Sequence, residues 1–135
     1  MKLLLIGCEY AGKTTLVNAI SQWIQDNMGA KPGVHDHFTI PHIDHEELTD
    51  QEQRQFLDLS PRIKETFQRY GIDYHFQTAF YEHDDHILVG FHIEEAIYAE
   101  LYYNYGKWGQ EHDRWRAISR VEGAMLQQAP DTTLV

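Results

Sequence analysis

Cysteine occurs once, at Cys8, in a chain of 135 residues, so no disulfide can close within it and nothing points to an oxidising compartment. A reducing cytoplasm is the expected setting. Basic residues are scarce: eleven Lys and Arg stand against twenty-one Asp and Glu, a formal charge of -10. That balance opposes attraction to a phosphate backbone or an anionic bilayer, so neither nucleic acid nor membrane is expected as a partner. Long hydrophobic runs are missing too. The amino-terminal run Leu3, Leu4, Leu5, Ile6 meets Gly7 and Cys8 in superficial likeness to a lipoprotein signal. Such a signal needs about 7 to 15 apolar residues, and this run is cut off by Glu9, Gly12 and Lys13. Internal repeats, low-complexity tracts and linkers are also lacking. Residues 1 to 135 therefore read as one soluble domain, and 42% hydrophobic residues are enough for a core.

The same four apolar residues read as a short strand buried on both faces. Directly after them, Gly7-Cys8-Glu9-Tyr10-Ala11-Gly12-Lys13-Thr14 fits the phosphate-loop pattern G-x-x-x-x-G-K-[ST] at every position. Random composition produces that pattern in a chain of this length on the order of once in two hundred. Each residue type has a physical reason. Glycine at 7 and 12 allows backbone shapes in which successive amides turn toward phosphate oxygens. Lys13 brings a cation to the outer phosphates, Thr14 offers a hydroxyl to Mg²⁺, and a helix starting near Gly12 turns its positive end to the anion. Leu16, Ile20, Trp23 and Ile24 recur at helical spacing, completing strand, loop and helix. Gly7, Cys8, Glu9, Tyr10, Ala11, Gly12, Lys13, Thr14 and Thr15 are thus the expected nucleotide-binding stretch. Cys8 reads as a small loop residue, although a helix start can lower a thiol's pKa.

Further along, the first helix is expected to end near Asn27 to Gly29, and Lys31-Pro32-Gly33 is turn chemistry leading to an extended segment over residues 34 to 40. Asp44, Glu46, Glu47, Asp50 and Glu52 read as a solvated loop and helix face. Ser60-Pro61 caps a helix with Ile63, Phe67 and Tyr70 on one face, stopped by Gly71. Residues 86 to 90 form an apolar strand. A helix follows with Ile93, Ile97 and Leu101 at four-residue spacing and Glu94 and Glu95 in its first turn. Gly106 and Gly109 interrupt the chain before a last helix over residues 111 to 128, with Trp115, Ile118, Val121 and Met125 inward and Arg114, Arg116 and Arg120 alongside. Tyr98, Tyr102, Tyr103, Tyr105 and Trp108 serve packing at least as readily as base stacking.

Alternating strands and helices predict an α/β fold, a doubly wound parallel sheet flanked by helices, with its ligand at the carboxyl ends of the strands. Asp36 and the segment from Gly90 to Glu95 sit at two such ends. Taken with the loop, Val34-His35-Asp36-His37-Phe38 and Ile87-Leu88-Val89-Gly90-Phe91-His92-Ile93-Glu94-Glu95 ahead of a tyrosine-rich helix, the chain resembles the P-loop nucleoside and nucleotide kinases, nearest the thymidylate kinase group. The resemblance implies a P-loop NTPase fold in which Asp36 orients or deprotonates an acceptor. The family's charged pair after the third strand is absent, leaving Glu94 or Glu95 as substitutes. It also implies further strands and an arginine-bearing lid beyond Val135, so the chain reads as an amino-terminal portion.

The expected function is transfer of the γ-phosphoryl group of ATP to a small acceptor, a nucleoside or nucleoside monophosphate, with Lys13 and Asp36 as catalytic residues and Mg²⁺ at Thr14. The alternative is a regulatory ATPase or switch without a small-molecule acceptor. A rival for the histidines is zinc held among His35, His37, His42 and His45 with Asp36 and Asp44, although that spacing matches no recognised site. Spacing leaves the oligomeric state unread.

Overall fold

Leu3, Leu4 and Leu5 are all buried, which a strand achieves only where both faces of its sheet are covered. They belong to β1 (Lys2–Leu5) in a computed structural model that describes residues 1–36, 39–40, 47–75, 85–110 and 113–135. Successive residues of a strand point to opposite faces. Leu3 and Leu5 accordingly pack with Val17 and Ile24 of α1 (Lys13–Met28) and with Ile87 of β3 (His86–Val89). Leu4 turns the other way, to Leu88 of β3, Ile72 of α3 (Pro61–His75) and Met125 of α5 (Arg114–Gln128). β2 (Gly33–His35) and β4 (Thr133–Leu134) complete a sheet of order β2-β3-β1-β4 in which each pairing is parallel. An α/β architecture with a parallel sheet between helices is therefore present.

The order of strands decides where a crevice opens. β1 feeds α1 on one face, whereas β3 feeds α4 (Phe91–Leu101), whose Phe91 and Ile93 pack into the cluster on the opposite face. The two chain exits thus diverge between neighbouring strands, the arrangement that creates a ligand crevice in doubly wound sheets. Gly90 N–H donates to the Leu5 carbonyl at 2.7 Å and ties the two exits together.

Boundaries follow local chemistry. α1 begins after Gly12 at φ 89° and ends at Gly29 at φ 69°, both in the left-handed region where glycine is unstrained. Its buried stripe is Val17 and Ile24 with half-buried Ile20; Leu16 and Trp23, expected on that stripe, lie to one side and are exposed. β2 is shorter than the expected 34 to 40, because Asp36 N–H donates to the Thr39 hydroxyl and Thr39 N–H to the Asp36 carbonyl, a turn that ends the ladder. His37, Phe38, Pro41, His42, Asp44, His45 and Glu46 lie outside the described residues. α2 (Asp50–Leu57) opens with a capping box between Thr49 and Glu52 and buries no residue, as a solvated acidic helix should.

Three further helices depart from the sequence expectation. α3 runs through Gly71 to His75. Glycine inside a helix costs about 1 kcal/mol, and burial of Ile72 and His75 beyond it outweighs that cost. On α4 the buried residues are His92, Glu95, Ala96 and Ala99, while Ile97 and Leu101 face outward. α5 starts at Arg114, capped by Asp113, whose carboxylate accepts from Trp115 N–H at 2.8 Å; Glu111 and His112 lie outside the described residues. Arg114 is buried in the inward place expected for Trp115, which is 40% exposed. Among the described residues, no helix is long and apolar enough to cross a membrane.

Burial of His92 on α4 has a measurable consequence. Burial lowers its pKa from 6.5 to about 4. Between those values the unfolded chain takes up a proton that the folded chain refuses, so stability is intact above pH 6.5 and falls as the pH drops toward 4. The loss from this group reaches about 3 kcal/mol. Urea unfolding measured across that window should show the decline, and His92→Leu should make it shallower, the remainder coming from groups such as His75 that burial also holds down; an unchanged slope in the variant would remove His92 as a cause.

Candidate functional site

The loop between β1 and α1 lies at the crevice. Cys8, Glu9, Tyr10, Ala11 and Gly12 are exposed, as are Thr14 and Thr15 in the first turn of α1, whereas Gly7 and Lys13 are half-buried. Ala11 N–H closes a turn onto the Cys8 carbonyl at 3.1 Å, and Tyr10 takes a left-handed φ of 62° with its side chain in solvent. Of the two motif glycines, this backbone requires the one at 12. A Cβ on Gly7 would make ordinary contacts of 3.6 Å with Ala11 and 3.7 Å with Lys13, so nothing in the loop's own packing demands glycine there.

What the loop holds is a carboxylate. Gly7 N–H donates to Glu94 Oε1 at 2.8 Å, and the Lys13 ammonium lies 3.0 Å from the same oxygen and 3.1 Å from Oε2. Lys13 also donates to the Gly7 carbonyl at 2.6 Å. A backbone amide and an ammonium thus converge on one oxyanion beside the amino terminus of α1. Glu94 reaches this place because α4 starts immediately after β3 at Gly90, whose φ is 73°. A Cβ on Gly90 would stand 2.5 Å from Glu94 Oε2, so glycine there serves both the turn and the carboxylate's approach.

The neighbouring Glu95 does something else. It is buried, and its Oε1 accepts from Arg114 Nη2 at 2.8 Å, Arg114 Nε at 3.1 Å and the Tyr105 hydroxyl at 2.7 Å. Burial and the adjacent Glu95 charge push the Tyr105 pKa up, so the phenol stays protonated and donates. Arg114, expected alongside the inward face of the last helix, is therefore committed to the core; Arg116 and Arg120 remain exposed.

Beyond the loop a cavity of about 580 Å³ opens between α2, α3 and the start of α4. Asp36 and Glu94 border it, together with His75, Gly90 and Tyr98. Phe56 of α2, Leu59 of the connecting turn, and Phe67 and Tyr70 of α3 form an apolar wall. The residues expected to share a helix face, Phe67 and Tyr70, thus line a cavity instead of the core. Phe56 stacks edge-on against Phe67 at 5.8 Å between centroids. His75 is held below its ordinary pKa by burial, against the opposing pull of the Gly71 carbonyl accepting from its Nδ1 and of the Asp36 carboxylate.

Of the two residues expected at one crevice, Asp36 lines the cavity and Lys13 pairs with Glu94, which borders it. Sequence reasoning missed the α2 and α3 wall, whose only trace was a set of aromatic residues on helices otherwise polar. The tyrosine cluster divides: Tyr98 and Tyr103 border the cavity, Tyr105 is buried on Glu95, and exposed Trp108 packs edge-on against Trp115. Of the histidine and carboxylate set considered for zinc, only His35 and Asp36 are described, and among the described residues no group of three or more His, Cys, Asp or Glu could hold a metal. Thr14 and Thr15, next to Lys13 in the first turn of α1, have exposed side chains. Compared with protein-family models, curated proteins and solved structures, the chain matches none.

Proposed function

We propose that this chain is a P-loop phosphotransferase that moves the γ-phosphoryl group of ATP to a hydroxyl of a small acceptor, a nucleoside or nucleoside monophosphate, in the cytoplasm. One observation carries the reading: the loop's amide and ammonium converge on a single oxyanion, and a cavity of about 580 Å³ bordered by Asp36 opens beside it. In such a reaction the acceptor oxygen bonds to the γ-phosphorus while the bond to the bridging oxygen breaks, and ADP leaves. Asp36 takes the proton released by the acceptor hydroxyl. Gly7 N–H and Lys13 hold phosphate oxygens in place of Glu94, and Thr14 would hold Mg²⁺, which neutralises phosphate charge when bound. The wall from α2 and α3 keeps water from the reacting phosphorus.

A second reading has its own support. ATP must displace Glu94 from Lys13, and that exchange of partners is what a nucleotide-dependent switch without an acceptor requires. ADP release that depends on an added acceptor separates the kinase from the switch.

Calorimetric titration with Mg-ATP tests the shared premise. Lys13→Ala should weaken binding about 10- to 100-fold, since a hydrogen bond to a charged group is worth roughly 1.5–3 kcal/mol. Glu94→Gln should tighten it several-fold by removing the competing anion. Equal affinity in the wild type and a folded Lys13→Ala variant would overturn the assignment.

A further inference from the structure

We infer that the acceptor entering this cavity carries no phosphate of its own and is an uncharged or cationic alcohol built on a ring. The inference rests on the phosphotransferase reading and narrows it, setting nucleoside monophosphates aside. Its basis is the distribution of charge around the cavity. The described lining contains the carboxylates Glu9, Asp36, Glu52, Glu94 and Glu95 and no Lys or Arg. Residues 37–38, 41–46, 76–84 and 111–112, outside the described set, contain no Lys or Arg in the sequence either.

Three cations that touch lining residues are already engaged. Lys13 pairs with Glu94, and Arg114 pairs with Glu95 while buried. Lys64 donates to the Leu57 carbonyl at 2.9 Å and lies over the Tyr103 ring, 5.5 Å from its centroid. When ATP takes the Lys13 site, its phosphates consume that cation, and displaced Glu94 adds a carboxylate to the surroundings. A dianionic acceptor would then be desolvated against carboxylates with no Lys or Arg of the described lining to pair it. An uncharged ring meets the opposite situation: Phe56, Phe67 and Tyr70 offer aromatic faces, and the amides of Gln55 and Gln68 can donate to and accept from a polar ring edge. The volume of about 580 Å³ suits a nucleoside-sized molecule.

The test uses the full chain and ligand-observed NMR titrations of the common ribonucleosides and thymidine, each against its own 5′-monophosphate. At least one nucleoside should bind at least tenfold more tightly than its monophosphate. Phe67→Ala, at a half-exposed position that leaves the fold intact, should weaken that nucleoside at least fivefold and so place it in the cavity. Asp36→Asn should narrow the gap at least threefold by improving the monophosphate. A monophosphate that binds as well as its nucleoside overturns the inference, and so does a set of nucleosides that all fail to bind at millimolar concentration. Lys13-dependent ATP binding is measured separately. Its loss would sink the phosphotransferase reading and leave the ranking of nucleoside over monophosphate intact, so the two failures are distinguishable.

Discussion

Arg114→Met is expected to lower the unfolding free energy by about 3–5 kcal/mol, the range seen when one partner of a buried ion pair is removed. Arg114 is 1% exposed and Glu95 8%. The guanidinium donates twice to Glu95 Oε1, stands 3.8 Å from Glu65, and lies 5.9 Å from the centroid of the Tyr105 ring. Methionine fills much of the volume but leaves the Glu95 carboxylate in the interior without its cation. The double variant Arg114→Met with Glu95→Leu should recover most of the loss, because it removes the charge as well as its partner. Urea midpoints of the wild type and both variants decide this. A single variant within 1 kcal/mol of the wild type would mean that water reaches Glu95 and that the pair is not what joins α4 to α5.

Asp36→Asn is expected, on the phosphotransferase reading, to reduce turnover about 10²- to 10⁴-fold, the contribution usual for a positioned proton acceptor. ATP affinity should stay within about twofold, because the phosphate-holding groups are Gly7 and Lys13. The asymmetry follows from position. Asp36 is the first residue past β2, on the far side of β3 from the loop after β1, and it borders the cavity. Its backbone makes two hydrogen bonds to Thr39, which the amide variant keeps while losing the ability to accept a proton. Steady-state kinetics with a responsive acceptor, paired with an ATP titration, reads both quantities. Equal losses in turnover and ATP affinity would assign Asp36 to nucleotide binding, and no change in turnover would return it to a loop role.

Local geometry was legible wherever a few adjacent residues set it. The continuous apolar run of β1 predicted coverage on both faces, and the spacing of Gly7, Gly12, Lys13 and Thr14 predicted a turn opening directly into α1. Ser60-Pro61 and Gly29 marked helix ends for reasons of backbone dihedral and missing N–H that do not depend on the rest of the fold. Gly71 misled because a local propensity of about 1 kcal/mol was set against burial of two residues beyond it, and burial won.

The candidate site shows the same division. Glu94 and Glu95 are adjacent in sequence and identical in chemistry, and only the packing of α4 separates them. A step of one residue turns a helix by about 100°, which sends Glu94 to the loop and Glu95 to Arg114. Sequence alone determined the strand, turn and helix around Lys13, the parallel α/β character and the acidic surface, because each depends on spacing within a few residues or on composition. Tertiary structure alone decided which carboxylate meets Lys13, that Arg114 is spent in the core, and that Phe56, Phe67 and Tyr70 wall a cavity. Those outcomes depend on how far each helix is rotated about its axis, and that rotation is set by the distant residues it packs against.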